Sequence, residues 1–280
     1  MTHYDRGGEK PVPDLPPPPY SPAPPAQNAP PQQQQQVQIQ IQPQTHIQRQ
    51  FPPAFSMYRD SSFSQRSYTI GEHQASPLYA VSLHSGWSGQ PDVVLHNGPT
   101  DAHPPLAAAE HTGFSGSSTI VTLPPLGPGS SAPALEKMEP SGGFARPAWT
   151  FAVEAGPAGR REAFEWRHSS GAAVRALDGR GAGWKLVRMA VDAPSGIGPG
   201  GGRFVPGGAA NSSSDGREVV AVWCWASGSV TKKLRFRFLG TGANGLLGER
   251  WATMAVITAL RIWDRERRAR NSSAGAGAGA

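Results

Sequence analysis

The stretch Glu249 to Arg270, ERWATMAVITALRIWDRERRAR, limits the possible folds more than any other. From Trp251 to Leu260 it carries no charge, and Ile262 and Trp263 follow a single Arg261. At helical spacing these residues occupy every side of the cylinder, so the helix is apolar all round and belongs inside something. A membrane span needs about 20 apolar residues, more than this run supplies. The rest of the chain must therefore build a protein wall around it. Trp251, Met254, Ile257 and Leu260 are the expected plug residues.

Most of the sequence before the helix reads as strands. SYTI (67–70), PLYAVSL (77–83), DVVL (92–95), LAAAEHT (106–112) and STIVTL (118–123) are short apolar runs set between turn residues. Asn97-Gly98 is a hairpin signal after the third of them. WTFAV (149–153) and AFEWRH (163–168) alternate cleanly, placing Trp149, Phe151, Val153, Phe164 and Trp166 on core-facing positions. GWKLVRMAV (183–191) alternates less cleanly. EVVAVWCWA (218–226) is apolar on both faces, as a central strand is, with Cys224 as a small core residue. KKLRFRFL (232–239) puts Leu234, Phe236 and Phe238 inward and Lys233, Arg235 and Arg237 outward. A helix without a polar face would stay wet on one side of an open sheet. A closed antiparallel barrel wraps it and also removes exposed strand edges. The expected class is α+β: a β-barrel around a buried C-terminal helix.

The flanks differ in composition. Residues 1–65 are rich in Pro and Gln and are expected to be disordered. Within them LPPPPY (15–20) places Pro17, Pro18 and Tyr20 in the PPxY pattern that WW domains bind through a stiff polyproline ligand. The tract Gln32–Gln36 and the following VQIQIQ suit either a solvated spacer or a transcriptional activation segment. Pro194 to Gly216 reads as a mobile loop, and the tail 271–280 as disordered. The barrel is accordingly expected over 66–270.

The single cysteine excludes an internal disulfide, and MTHYDRGGEKP has no apolar signal core. These features point to a cytoplasmic or nuclear protein that is not secreted. The sequons at Asn211 and Asn271 then read as chance matches. Net charge is +1 over residues 1–66, −4 over 67–148 and +9 over 149–280. Such a one-sided basic excess suits either a well-solvated surface or an anionic partner. The five histidines between His73 and His111 have irregular spacing and no metal-ligand pairing. No hydrolase, zincin, Walker A or kinase signature occurs. The reading is therefore non-enzymatic.

One motif invites a cofactor. Gly240 to Gly245, GTGANG, fits G-x-G-x-x-G between a strand and a helix. The strand before it alternates charged and apolar residues, and no strand follows the helix, so there is no βαβ unit. The expected role is a turn needing positive φ and close backbone approach, with no cofactor bound.

The segments FEWRHSSG (164–171), GWKLVRM (183–189), EVVAVW (218–223), KKLRFRFLGTGANGLLGERW (232–251) and the apolar helix resemble the tubby-like superfamily. That group includes tubby C-terminal domains, LURP-one-related proteins and phospholipid scramblases, and the chain looks most like their fungal members. The resemblance implies a twelve-stranded barrel threaded by the last helix, two strands more than the ten read above. It also implies binding of phosphatidylinositol bisphosphate at a membrane through exterior Lys and Arg. Lys232, Lys233, Arg235 and Arg237 are the candidates, chosen by local chemistry rather than motif matching. The expected partners are an anionic membrane lipid and a WW-domain protein. A nuclear regulator touching nucleic acid and a scaffold barrel without ligand are the alternatives.

Overall fold

In the computed structural model, residues 49–60, 66–85, 88–112, 118–127, 132–143, 147–178, 181–189 and 211–276 are described. The chain divides into Met1–Thr45 and His46–Ala280, and every described residue belongs to the second unit. Pro17, Pro18, Tyr20 and the Gln tract lie outside the described residues, as does 194–210 of the expected loop.

The strands are β1 Ala54–Arg59, β2 Ser67–Gly71, β3 Tyr79–Leu83, β4 Val93–His96, β5 Pro105–Thr112 and β6 Ser118–Leu123. They continue as β7 Ala134–Pro140, β8 Ala148–Ala155, β9 Arg160–Ser169, β10 Gly183–Arg188, β11 Val219–Trp225 and β12 Lys232–Phe238. The helices are α1 Ala172–Asp178, α2 Gly240–Ala243 and α3 Glu249–Ala276. Neighbouring strands pair in sequence order and β1 pairs with β12, giving a closed antiparallel barrel of twelve strands.

Two sequence boundaries move. β1 lies inside the stretch expected to be disordered: Phe55 and Met57 point into the core, and β1 closes the barrel by pairing with β12. The ordered domain thus starts before residue 66. At the other end α3 continues to Ala276, into the expected disordered tail. β7 is the second strand beyond the ten read from the sequence. The Asn97-Gly98 signal opens a longer connection, residues 97–104, instead of a two-residue turn.

α3 is buried on every side, as its composition required. All residues from Thr253 to Asp264 are buried, and Trp251, Met254, Ile257 and Leu260 are at most 2% exposed. Burying one such side chain contributes about 1.5–3 kcal/mol. Thr258, the polar residue mid-plug, accepts the Trp166 indole N–H at 2.9 Å and donates back to Met254 O. β11 is apolar on both faces for a second reason. Val220, Ala221 and Trp223 face the core, while Val219, Val222 and Cys224 face outward beneath Ala173 and Val174 of α1.

Ion pairs fix both ends of α3. At its start Arg250 reaches Glu154 at 2.9 Å and Glu136 at 3.1 Å, tying the helix to β8 and β7. Near its exit from the barrel, Asp264 accepts Arg267 and Arg268, each at 2.7 Å. Arg268 also reaches Asp92 at 3.1 Å, and Arg261 reaches Asp92 at 3.4 Å, tying the helix to the start of β4. His111 Nδ1 lies 2.7 Å from Asp92. Glu266 accepts the indole N–H groups of Trp184 and Trp225 at 2.8 and 2.6 Å. Among the described residues no helix is long and apolar enough to cross a membrane.

Candidate functional site

β12 positions the basic residues. Leu234, Phe236 and Phe238 are buried inward, so the intervening arginines project from the barrel wall. Arg237 pairs across the ladder with Ala54 of β1, and Arg235 with Ser56. Cross-strand partners share a face. Two small side chains beside two long ones therefore leave a hollow on the outer wall.

Two segments wall that hollow. The β2–β3 connection folds back over β1: Tyr58 Oη donates to Glu72 O at 3.2 Å and Thr231 Oγ1 to Gln74 Oε1 at 2.9 Å. This brings Glu72 and His73 to one side. On the other side the C-terminal end of α1 approaches, and Arg235 Nη1 donates to Leu177 O at 3.2 Å. That bond satisfies a terminal helix carbonyl and places a cation at the negative end of the helix. The result is an open depression of about 270 Å³ lined by Arg235, Arg237, His73 and Glu72 over the small β1 residues. Arg237 is exposed and Arg235 half-buried. Two guanidiniums offer several N–H donors in fixed forks, which suits phosphate or carboxylate oxygens.

The four basic candidates separate into two pairs. Arg235 and Arg237 line the depression. The β1–β12 register shifts between Met57 and Tyr58, so that Met57 opposes Leu234 and Tyr58 opposes Lys232. Lys233 therefore sits on a bulge, and Lys232 Nζ lies 5.5 Å over the Tyr58 ring. The alternation in KKLRFRFL gives no sign of this break. Nor could periodicity find His73, Glu72 or Leu177, which come from a turn and a helix end that meet only after β1 closes the barrel.

GTGANG forms the corner between β12 and the plug. Gly240 has φ +49°, and a Cβ on Gly242 would lie 2.6 Å from Cη2 of Trp251. The Thr241 N–H donates to a Glu218 carboxylate oxygen at 2.7 Å, and the Thr241 hydroxyl donates to the other oxygen at 3.0 Å. A carboxylate thus occupies the place where a dinucleotide fold presents backbone N–H to pyrophosphate. Two of the histidines are engaged locally: His96 lies 2.9 Å from Ser82 Oγ and His103 2.9 Å from Thr100 Oγ1.

Lys185 is buried on the outer wall beside Arg167; burial, and then the Arg167 charge, hold its ammonium below the usual lysine range. Asp215 lies across Arg167 at 2.9 Å. Burial alone would raise the Asp215 carboxyl, but Ser213 and Arg167 more than offset it, leaving the pKa at about 2. Arg167, Ser213 and Asp215 satisfy one another and form a structural cluster. No family model, no curated protein and no solved structure matches the chain.

Proposed function

We propose that the barrel is a non-enzymatic module that binds a phosphorylated head group at an anionic membrane, with Arg235 and Arg237 as its principal contacts. The observation that carries the reading is the depression in which these arginines and His73 face one open space of about 270 Å³. The resemblance to tubby-like proteins, with phosphatidylinositol bisphosphate as the ligand it implies, supports the same chemistry. On this reading the protein is cytoplasmic and peripheral to the membrane. The PPxY segment at Pro17, Pro18 and Tyr20 makes it an adaptor by recruiting a WW-domain protein.

The test is titration of the full chain with inositol hexakisphosphate, together with flotation on vesicles containing phosphatidylinositol bisphosphate. Wild type binds both. Arg237→Glu, an exposed position, weakens both by about tenfold or more through charge reversal at the contact. Affinity unchanged in Arg237→Glu and in Arg235→Gln removes the site. A synthetic WW domain binds wild type and not Tyr20→Ala if the adaptor role holds.

A further inference from the structure

The barrel end from which α3 emerges has a chemistry that the depression does not use. Between Arg261 and Arg270 the helix carries five arginines against Asp264 and Glu266. Both acids are already engaged: Asp264 is 0% exposed between Arg267 and Arg268, and Glu266 is held by two indoles. Of the five arginines, Arg265 and Arg270 are turned outward by contrast. Arg265 lies 4.6 Å over the Trp149 ring and Arg270 4.0 Å over the Trp225 ring, and both arginines are exposed. Stacking on an aromatic face orients a guanidinium.

Trp225 ends β11, so the β11–β12 hairpin tip belongs to this same end. Gly228, with φ +67°, shapes the tip, and Val230 on it is 87% exposed, the highest value among the large hydrophobics of the described residues. Lys232 and Lys233 follow directly. The end of β1 joins them, with Arg59 N donating to Thr231 O at 2.8 Å. Val230 on this tip thus shares the barrel end with Arg59, Lys232, Lys233, Arg265 and Arg270.

We infer that this end of the barrel is a docking surface for an anionic bilayer, with Val230 entering the head-group region and the surrounding Lys and Arg meeting lipid phosphates. The inference rests on the reading that the protein works at an anionic membrane, and it assigns contact to a second surface. Charge complementarity selects an extended anionic surface. A closed barrel offers no edge for an added peptide strand. The indoles beneath the arginines are covered: Trp149 is 6% exposed and Trp225 half-buried, so they are poor platforms for stacking bases.

The experiment is flotation of the full chain on phosphatidylcholine vesicles with and without phosphatidylserine, lacking any phosphoinositide. Wild type floats only with phosphatidylserine and is released by high salt. Val230→Asp lowers partitioning by about tenfold, because it removes an inserted apolar group and adds a like charge. The pair Arg265→Glu and Arg270→Glu lowers it by about tenfold or more. An unchanged melting temperature in Val230→Asp confirms that the fold is intact. Wild-type flotation in Val230→Asp and in the double variant overturns the inference. So does failure of wild type to float on phosphatidylserine, or its retention on duplex DNA in preference to vesicles. Binding of inositol hexakisphosphate in the absence of flotation would leave the depression standing and remove only the docking surface.

Discussion

Asp92 is 1% exposed, and its charge survives there only because three groups surround it. Burial alone pushes its carboxyl up. The His111 hydrogen bonds and the Arg261 and Arg268 guanidiniums more than offset that and hold the pKa below its ordinary value. The folded state therefore favours the ionised form. This contribution is fully present above the unfolded pKa of about 3.9 and is lost as pH falls through the lower folded value. Asp92→Asn keeps the shape and removes the charge, leaving Arg261 buried with Asp264, at 3.8 Å, as its one acidic partner among the described residues. The expected cost is about 3 kcal/mol near neutral pH, because breaking a buried pair strands the other charge. The same variant should lose less further stability than wild type on acidification below about pH 4. Urea denaturation at several pH values reads both effects. A parallel acid limb in wild type and variant would show that Asp92 is not the titrating group.

At the scale of one element, α3 joins the sequence pattern to the barrel most directly. Ile257 is 0% exposed and Ala259 1%. Ile257→Asp or Ala259→Asp buries a carboxylate without a partner, a cost that exceeds the stability of most domains. Both variants should lose cooperative thermal unfolding and near-ultraviolet ellipticity; wild-type melting in either would mean that the helix lies outside the barrel. This helix was legible because its missing polar face has one physical meaning. Ten strands were legible through alternation or continuous apolar runs. β7 was not, since ALEKMEP buries only Glu136 and Met138 and leaves Leu135 66% exposed, an inversion of the usual pattern. Glu136 is buried there because Arg161 and Arg250 neutralise it. α1 was hidden too, as seven residues covering one patch of β11 leave little periodicity to read. The arginines of the depression could be read from β12. Its walls could not, because they come from segments that meet only in three dimensions.

At the scale of the molecule, closure decides whether there is a domain at all. β1 is the seam strand: it pairs with β12 on one side and β2 on the other, and stacks Phe55 on Phe236 with ring centroids 4.7 Å apart. Its six residues follow Pro52 and Pro53 and a low-complexity run, which conceals a strand whose core content is Phe55 and Met57. The local sequence around β1 is ambiguous, whereas its tertiary role is not. Without it β2 and β12 become open edges and the plug is exposed along one side. The barrel-bearing unit begins at His46, upstream of that seam. A chain beginning at His46 should therefore melt with the full-length protein, the PPxY and Gln segments contributing nothing to barrel stability. A chain beginning at Arg66, the boundary suggested by composition, should fail to unfold cooperatively and should aggregate through its free edges. Calorimetry on the two truncations separates the cases. An Arg66 chain that melts like wild type would mean that β1 is dispensable and that the barrel closes β2 directly onto β12. The same pair bears on binding, because Ala54 and Ser56 floor the depression and Arg59 borders the docking end. The His46 chain should retain affinity for inositol hexakisphosphate and phosphatidylserine vesicles while losing affinity for a WW domain, so that lipid and protein recognition divide at the same boundary as the fold.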